Sequence, residues 1–157
     1  MKYDPLYIAY LIYFNRDRDY FECHEVLEEL WLARNREPLY KGLLQVAVGL
    51  FHFRRGNIKG SYKMLQSASD KLQNYADDSL GINLARLKED IRQLVDKLDH
   101  YQAEPVQYYD FTIQIIDSEL KRAVDMVSSE LMPNIPIQIH PQRGEKHALR
   151  DQKNNDK

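Results

Sequence analysis

Twelve consecutive residues, Gly42 to Phe53, carry no charge. A run of that length and composition reads as a helix, and a helix apolar on every side has to be surrounded. The chain must supply neighbours on several of its faces, which narrows the fold to a bundle with this helix inside. One stripe interrupts the apolar pattern: Gly42, Gln45, Gly49, His52 and Gly56, spaced three, four, three and four. Glycine inside a helix costs ~1 kcal/mol against alanine. Close approach of another backbone offsets that cost, because no side chain stands in the way. Gln45 and His52 lie on the same stripe and need polar partners there.

The segment before it, Tyr20 to Trp31, reads YFECHEVLEELW. At ~100° per residue, Cys23, Val26, Leu27, Leu30 and Trp31 share one arc that should face a core. Glu22, Glu25 and Glu29 fall on the other side as a solvated face. His24 and Glu28 are one turn apart, so their side chains can touch. They sit at the edge of the apolar arc, where a carboxylate needs a partner. The connection Asn35 to Leu39, with Pro38 in it, is short and favours an antiparallel hairpin. The expected partners of Gln45 and His52 are therefore His24 and Glu28, with Glu25 at the rim.

Phe14-Asn15, Tyr20-Phe21-Glu22, His24-Glu25, Leu27-Glu28, Trp31, the Gly42-to-Gln45 run and His52 through Asn57 resemble the signature of a bacterial family. It is domain-of-unknown-function family 309. The likeness covers Tyr7 to Ala76, about half of the chain. HE-x-x-E-x-x-W followed by H-x-R-R-G-N is specific as an ordered pair. The resemblance implies a small all-helical protein with no assigned activity. Many members carry a glycine in the turn before the Tyr-Phe-Glu segment, where this chain has Arg16-Asp17-Arg18.

The rest of the chain reads as cover for the hairpin. Asp4-Pro5 starts a helix, with Asp as cap and Pro at the first helical position. Tyr3, Tyr7, Tyr10 and Phe14 line one face of it and read as core, with a homodimer surface as the other use of such a stripe. Asp19 caps the next helix, Gly56 stops the third and Asn57 caps the fourth, Ile58 to about Tyr75. Leu84, Leu87, Ile91, Leu94, Val95 and Leu98 mark an amphipathic fifth helix. Tyr109 to Ile115 alternates with period two and predicts an extended segment across the bundle. Asp117 caps a last helix to Leu131, and Ile135, Ile137 and Ile139 form a final strap. The expectation is all-α: one domain over residues 1–139, a bundle of about five or six helices with a central antiparallel hairpin and short extended segments near the C-terminus. A polar tail, 140–157, follows.

Composition limits the function classes. At 43% hydrophobic and 29% charged residues, the chain is an ordinary globular one. Its net charge of −2 gives no basic field for nucleic acid. Cys23 is the only cysteine. That excludes an internal disulfide and a cysteine-rich zinc site and fits a reducing cytoplasm. Leu6 to Phe14 is shorter than the ~20 residues a membrane span needs, and no membrane partner is expected. Phosphate-loop, nucleophile-elbow and dinucleotide patterns are absent.

Two readings of the hairpin stay open. In one, His24, Glu28, Gln45 and His52 form a buried hydrogen-bonded network in a scaffold or interaction module whose partner is a protein or small molecule. In the other, His24, Glu28 and His52 hold a transition metal in a hydrolase-like enzyme. The network is preferred, because one helix supplies only two ligands. Trp31 is read as a core anchor beside Leu27, or else as the lining of a pocket. Arg54 and Arg55 form a candidate anion patch.

Overall fold

The structure is a computed structural model that describes residues 2–133. The strap at Ile135, Ile137 and Ile139, the domain limit at 139 and the tail beyond it lie outside the described residues. Six α-helices follow one another: α1 Pro5–Ile12, α2 Tyr20–Ala33, α3 Pro38–Arg54, α4 Ile58–Leu72, α5 Leu84–Asp99 and α6 Ser118–Glu130. The protein is an all-α single-domain bundle, with no sheet among the described residues.

Local chemistry sets most of the boundaries. The Asp4 side chain accepts from the Leu6 amide at 2.8 Å, ahead of Pro5. Asp19 accepts from the Glu22 amide at 3.1 Å, and Asn57 from the Gly60 amide at 3.0 Å. Each satisfies an N–H that a helix start leaves unpaired. Gly56 has φ +81° and ends the α3 turn. Pro38 is the first residue of α3 rather than part of the connection. Proline loses nothing there, since that position has no amide partner in the helix. Asn35 and Arg36, both left-handed, make the tight turn of the hairpin.

α3 lies between α2 and α4. The glycine stripe provides a close approach, as its spacing predicts, but to α4 and not to α2. A Cβ on Gly42 would lie 2.8 Å from Leu72 Cδ2, and one on Gly49 would lie 2.6 Å from Leu65 Cγ. Ser61 of α4 donates to the Gly49 carbonyl at 2.7 Å, across the same contact.

The aromatic stripe of α1 is core. Tyr3, Tyr7, Tyr10, Phe14 and then Tyr20 form a buried ladder with ring centroids 5.2 to 6.5 Å apart. The hydroxyls tie other segments to it: Tyr7 donates to the Leu80 carbonyl and Tyr10 to the Leu43 carbonyl, each at 2.9 Å. Tyr3 donates to Asp117, the N-cap residue of α6.

After α1 the chain makes a wider helical turn, Tyr13–Asp17, and Arg18 is left-handed at φ 55°. An arginine there accepts the strain, and its guanidinium donates to the Phe111 carbonyl and to Thr112 Oγ1. Asn15 grips the same segment twice, through the Ile113 carbonyl and amide, both at 2.9 Å. The extended segment thus lies across the bundle as predicted, with Phe111 and Ile113 buried and Thr112 and Gln114 exposed. It makes one isolated bridge, Ile115 to Ile82. Arg16 reaches the other way, to the Ser128 and Leu131 carbonyls at the end of α6 at 2.7 and 3.2 Å.

Two outcomes test this frame. Gly49→Ala gains helix propensity but drives its methyl into Leu65, and overpacking of this kind costs ~1–3 kcal/mol. Urea unfolding should show a net loss of stability, and a gain would refute the close contact. Asp19 is 3% exposed, and burial, partly offset by the Glu22 amide bond, pushes its pKa up to about 6. The unfolded chain titrates near ~3.9. Ionising Asp19 therefore costs the folded state, and its contribution falls as pH rises from about 4 to about 6. Asp19→Asn keeps the capping oxygen without the charge. It should exceed the wild type by ~3 kcal/mol at pH 7 and come close to it at pH 4 in thermal unfolding.

Candidate functional site

α2 buries Cys23, Leu27 and Leu30. Cys23 is a core thiol: its Sγ lies 3.5 Å from the Tyr10 carbonyl, and burial holds it protonated. Rotating away from that face brings His24, Glu25 and Glu28 to the surface of the hairpin. His24 Nδ1 lies 3.2 Å from Glu25 Oε1, and His24 Nε2 lies 3.5 Å from Glu28 Oε2. One ligand atom from each of the three falls within 4.8 Å of the others. The side chains of His24 and Glu28 are 32% and 31% exposed, and that of Glu25 is 10% exposed. The expected order is thus reversed: Glu25, placed at the rim by the sequence reading, is the more buried carboxylate. The group is half open to solvent.

α2 and α3 pack antiparallel, as the short turn predicts. Lys41 Nζ stands 4.5 Å over the Trp31 ring, and Phe21 and Phe51 lie 6.0 Å apart. Those two contacts fix the register of the hairpin. Gln45 is 7% exposed, and its Oε1 has no hydrogen-bond partner among the described residues. His52 turns to the next connection, where its Nδ1 lies 3.3 Å from Asn57 Nδ2. Burial, and secondarily Arg55, lower its pKa, so the ring is neutral at pH 7. The structure brings His24, Glu25 and Glu28 together and leaves His52 outside that group. A ligand set of His24, Glu28 and His52 is therefore not assembled. The stripe carrying Gln45 and His52 is adjacent to α4, which the sequence reading placed on the wrong side.

His24 and His52 are instead linked by rings. Phe21 and His24 are 6.2 Å apart, and Phe51 and His52 are 5.8 Å apart in an edge-on pair. With the Phe21–Phe51 contact this makes one half-buried aromatic patch along the hairpin. Neither phenylalanine stood out in the sequence, although Phe21 lies one turn before His24. The pairing with Phe51 depends on hairpin register, which periodicity does not give.

Trp31 is not a core anchor. It is half-buried at the edge of the hairpin under Lys41 and Arg36, and its Nε1 is buried without a partner among the described residues. The two arginines also separate. Arg54 Nη1 donates to the Arg18 carbonyl at 2.7 Å, and its guanidinium lies 4.9 Å over the Tyr20 ring. Arg55 is exposed and covers Phe51 at 5.1 Å. Arg54 secures the α1–α2 turn while Arg55 flanks the aromatic patch, so they form no shared anion site.

No described helix is long and apolar enough to cross a membrane. No solved structure matches the chain. An uncharacterised protein of Bacillus subtilis, YpuF, is 34% identical over 126 residues, covering 77% of this chain and 70% of its own. An uncharacterised protein of Aquifex aeolicus is 31% identical over 80 residues, covering 49% of this chain and 24% of its own. The family model for the domain of unknown function DUF309 matches residues 7–64, the span that runs from α1 through the hairpin into α4. The site and the hairpin that carries it are thus those of a DUF309 protein, and the chain belongs to that family.

Proposed function

We propose that the protein is a helical interaction module and that the outer face of the α2–α3 hairpin is its contact surface. The observation that carries this reading is the aromatic patch of Phe21, His24, Phe51 and His52, half-buried and continuous across two helices. Aromatic and arginine side chains are enriched where proteins meet, and charged groups belong at the rim. Here Arg55 borders the rings on one side, and Glu25 and Glu28 border them on the other. Leu32, 50% exposed and next to Trp31, extends the apolar surface along α2. Packing against the core gives the patch a fixed shape before any partner arrives, which lowers the ordering cost of binding.

The occupant is a protein with an apolar or aromatic contact group and a mixed-charge border. Photo-crosslinking in the native host tests this. A photoreactive residue at Leu32 or Arg55 should capture one defined protein, and the adduct should fade when Phe51→Glu is added. The same group at Met126 of α6, 67% exposed, should not capture it. Equal labelling from all three positions, or none from Leu32 and Arg55, would remove this reading.

A further inference from the structure

The α1–α2 turn uses only part of the Arg54 guanidinium. Nη1 donates to the Arg18 carbonyl, and the group lies over the Tyr20 ring. Nε and Nη2 are both buried, and neither has a hydrogen-bond acceptor among the described residues. A buried charged donor without an acceptor is more costly than a neutral one, and here two stand side by side. They form an edge of the guanidinium whose N–H bonds run parallel, matching the two oxygens of a carboxylate. Arginine stays charged at any ordinary pH, so this edge always favours an anion.

Arg54 also lines a cavity of about 480 Å³ between the end of α3, the start of α4 and the segment after α5. That is the size of a small-molecule site. Phe53, Ile58, Tyr101, Val106 and Tyr108 form most of the wall, and Arg54 is the only charged residue in it. The Phe53 and Tyr108 rings meet at 5.0 Å and make a fixed aromatic corner. Burial raises the pKa of the Tyr108 hydroxyl, and the charge of Arg54 works against that rise, so the guanidinium stands close to this wall. Residues 105–110 make no backbone–backbone hydrogen bond among the described residues. The wall that carries Val106 and Tyr108 can therefore shift to admit a ligand to the buried edge. We propose that the cavity binds a small organic monocarboxylate, held side-on by Nε and Nη2 of Arg54, with its apolar body against Phe53, Tyr101, Val106 and Tyr108. A single cation in an otherwise apolar wall matches one negative charge better than the two of a phosphate. The cavity shares no residue with the patch of Phe21, His24, Phe51 and His52, and it stands or falls separately from the protein contact proposed above.

The test uses the full chain and a matched pair of probes, hydrocinnamate and its neutral amide, titrated by calorimetry at neutral pH. One saturable equivalent of the acid is expected, and the amide should bind at least about tenfold more weakly. Arg54→Lys keeps the charge but loses the paired donors, and it should weaken the acid by a similar factor. Val106→Trp fills the cavity without touching the α1–α2 turn and should abolish binding. Arg122→Gln, which removes an exposed charge on α6, should leave it unchanged. Circular dichroism identifies any variant that fails to fold, and the comparison of acid with amide needs no variant at all. Absence of saturable binding overturns the proposal. So does equal binding of acid and amide, or binding of the acid that survives both Arg54→Lys and Val106→Trp.

Discussion

The contact between α3 and α4 governs the rest of the molecule. Where Gly42 meets Leu72 and Gly49 meets Leu65, two helices come closer than side chains would allow. α3 has apolar surface on most of its circumference, so it needs neighbours that can approach it on several sides. α4 takes the glycine side, which leaves the opposite flank to α2. The polar stripe of α3 runs beside the contact with α4, and the half-open group on α2 lies at the outer edge of the hairpin. The position of the candidate site thus follows from where the glycines stand.

A second constraint comes from tyrosine. Rings buried in the ladder contribute apolar area, but each hydroxyl must find an acceptor in the interior. Tyr7 and Tyr10 find backbone carbonyls in segments far away in sequence, and Tyr20 donates to Asp110 at 2.6 Å. The stripe therefore fixes which segments lie against α1 as well as filling the core. The extended segment is held in the same way. Its alternating pattern predicts strand-like backbone, and side chains from the α1–α2 turn take the place of a neighbouring strand.

Much of this was legible in the sequence because it is local. A cap such as Asn57 and a stop such as Gly56 act within a few residues, and the alternation at Tyr109 to Ile115 survives without any sheet. The identity of long-range neighbours was not legible. A glycine stripe signals close approach but does not say to which helix, and α2 and α4 are both adjacent to α3 in the chain. Glu25 shows the same limit at the scale of one side chain. A helical wheel places it about 100° from His24, and only the bend of its side chain brings its carboxylate to the ring. Arg54 was misjudged for a related reason. Its role depends on the left-handed turn at Arg18, which no charge pattern announces.

Arg16 links this frame to the last helix. α6 buries Leu120 fully and packs Ala123, Val124 and Val127 only partly against the core. The guanidinium of Arg16 collects carbonyls from the last turn of α6 and also pairs with Asp17 at 2.8 Å. Positive charge at a helix C-terminus is favourable, and here it fastens the helix like a latch at one end. The two ends of α6 are secured by side chains that flank α1, Tyr3 just before it and Arg16 in the turn after it. Peeling α6 away would therefore strip α1 of its outer cover, while the Phe14–Tyr20 ring contact and the Tyr10–Leu43 bond still held α1 to the hairpin.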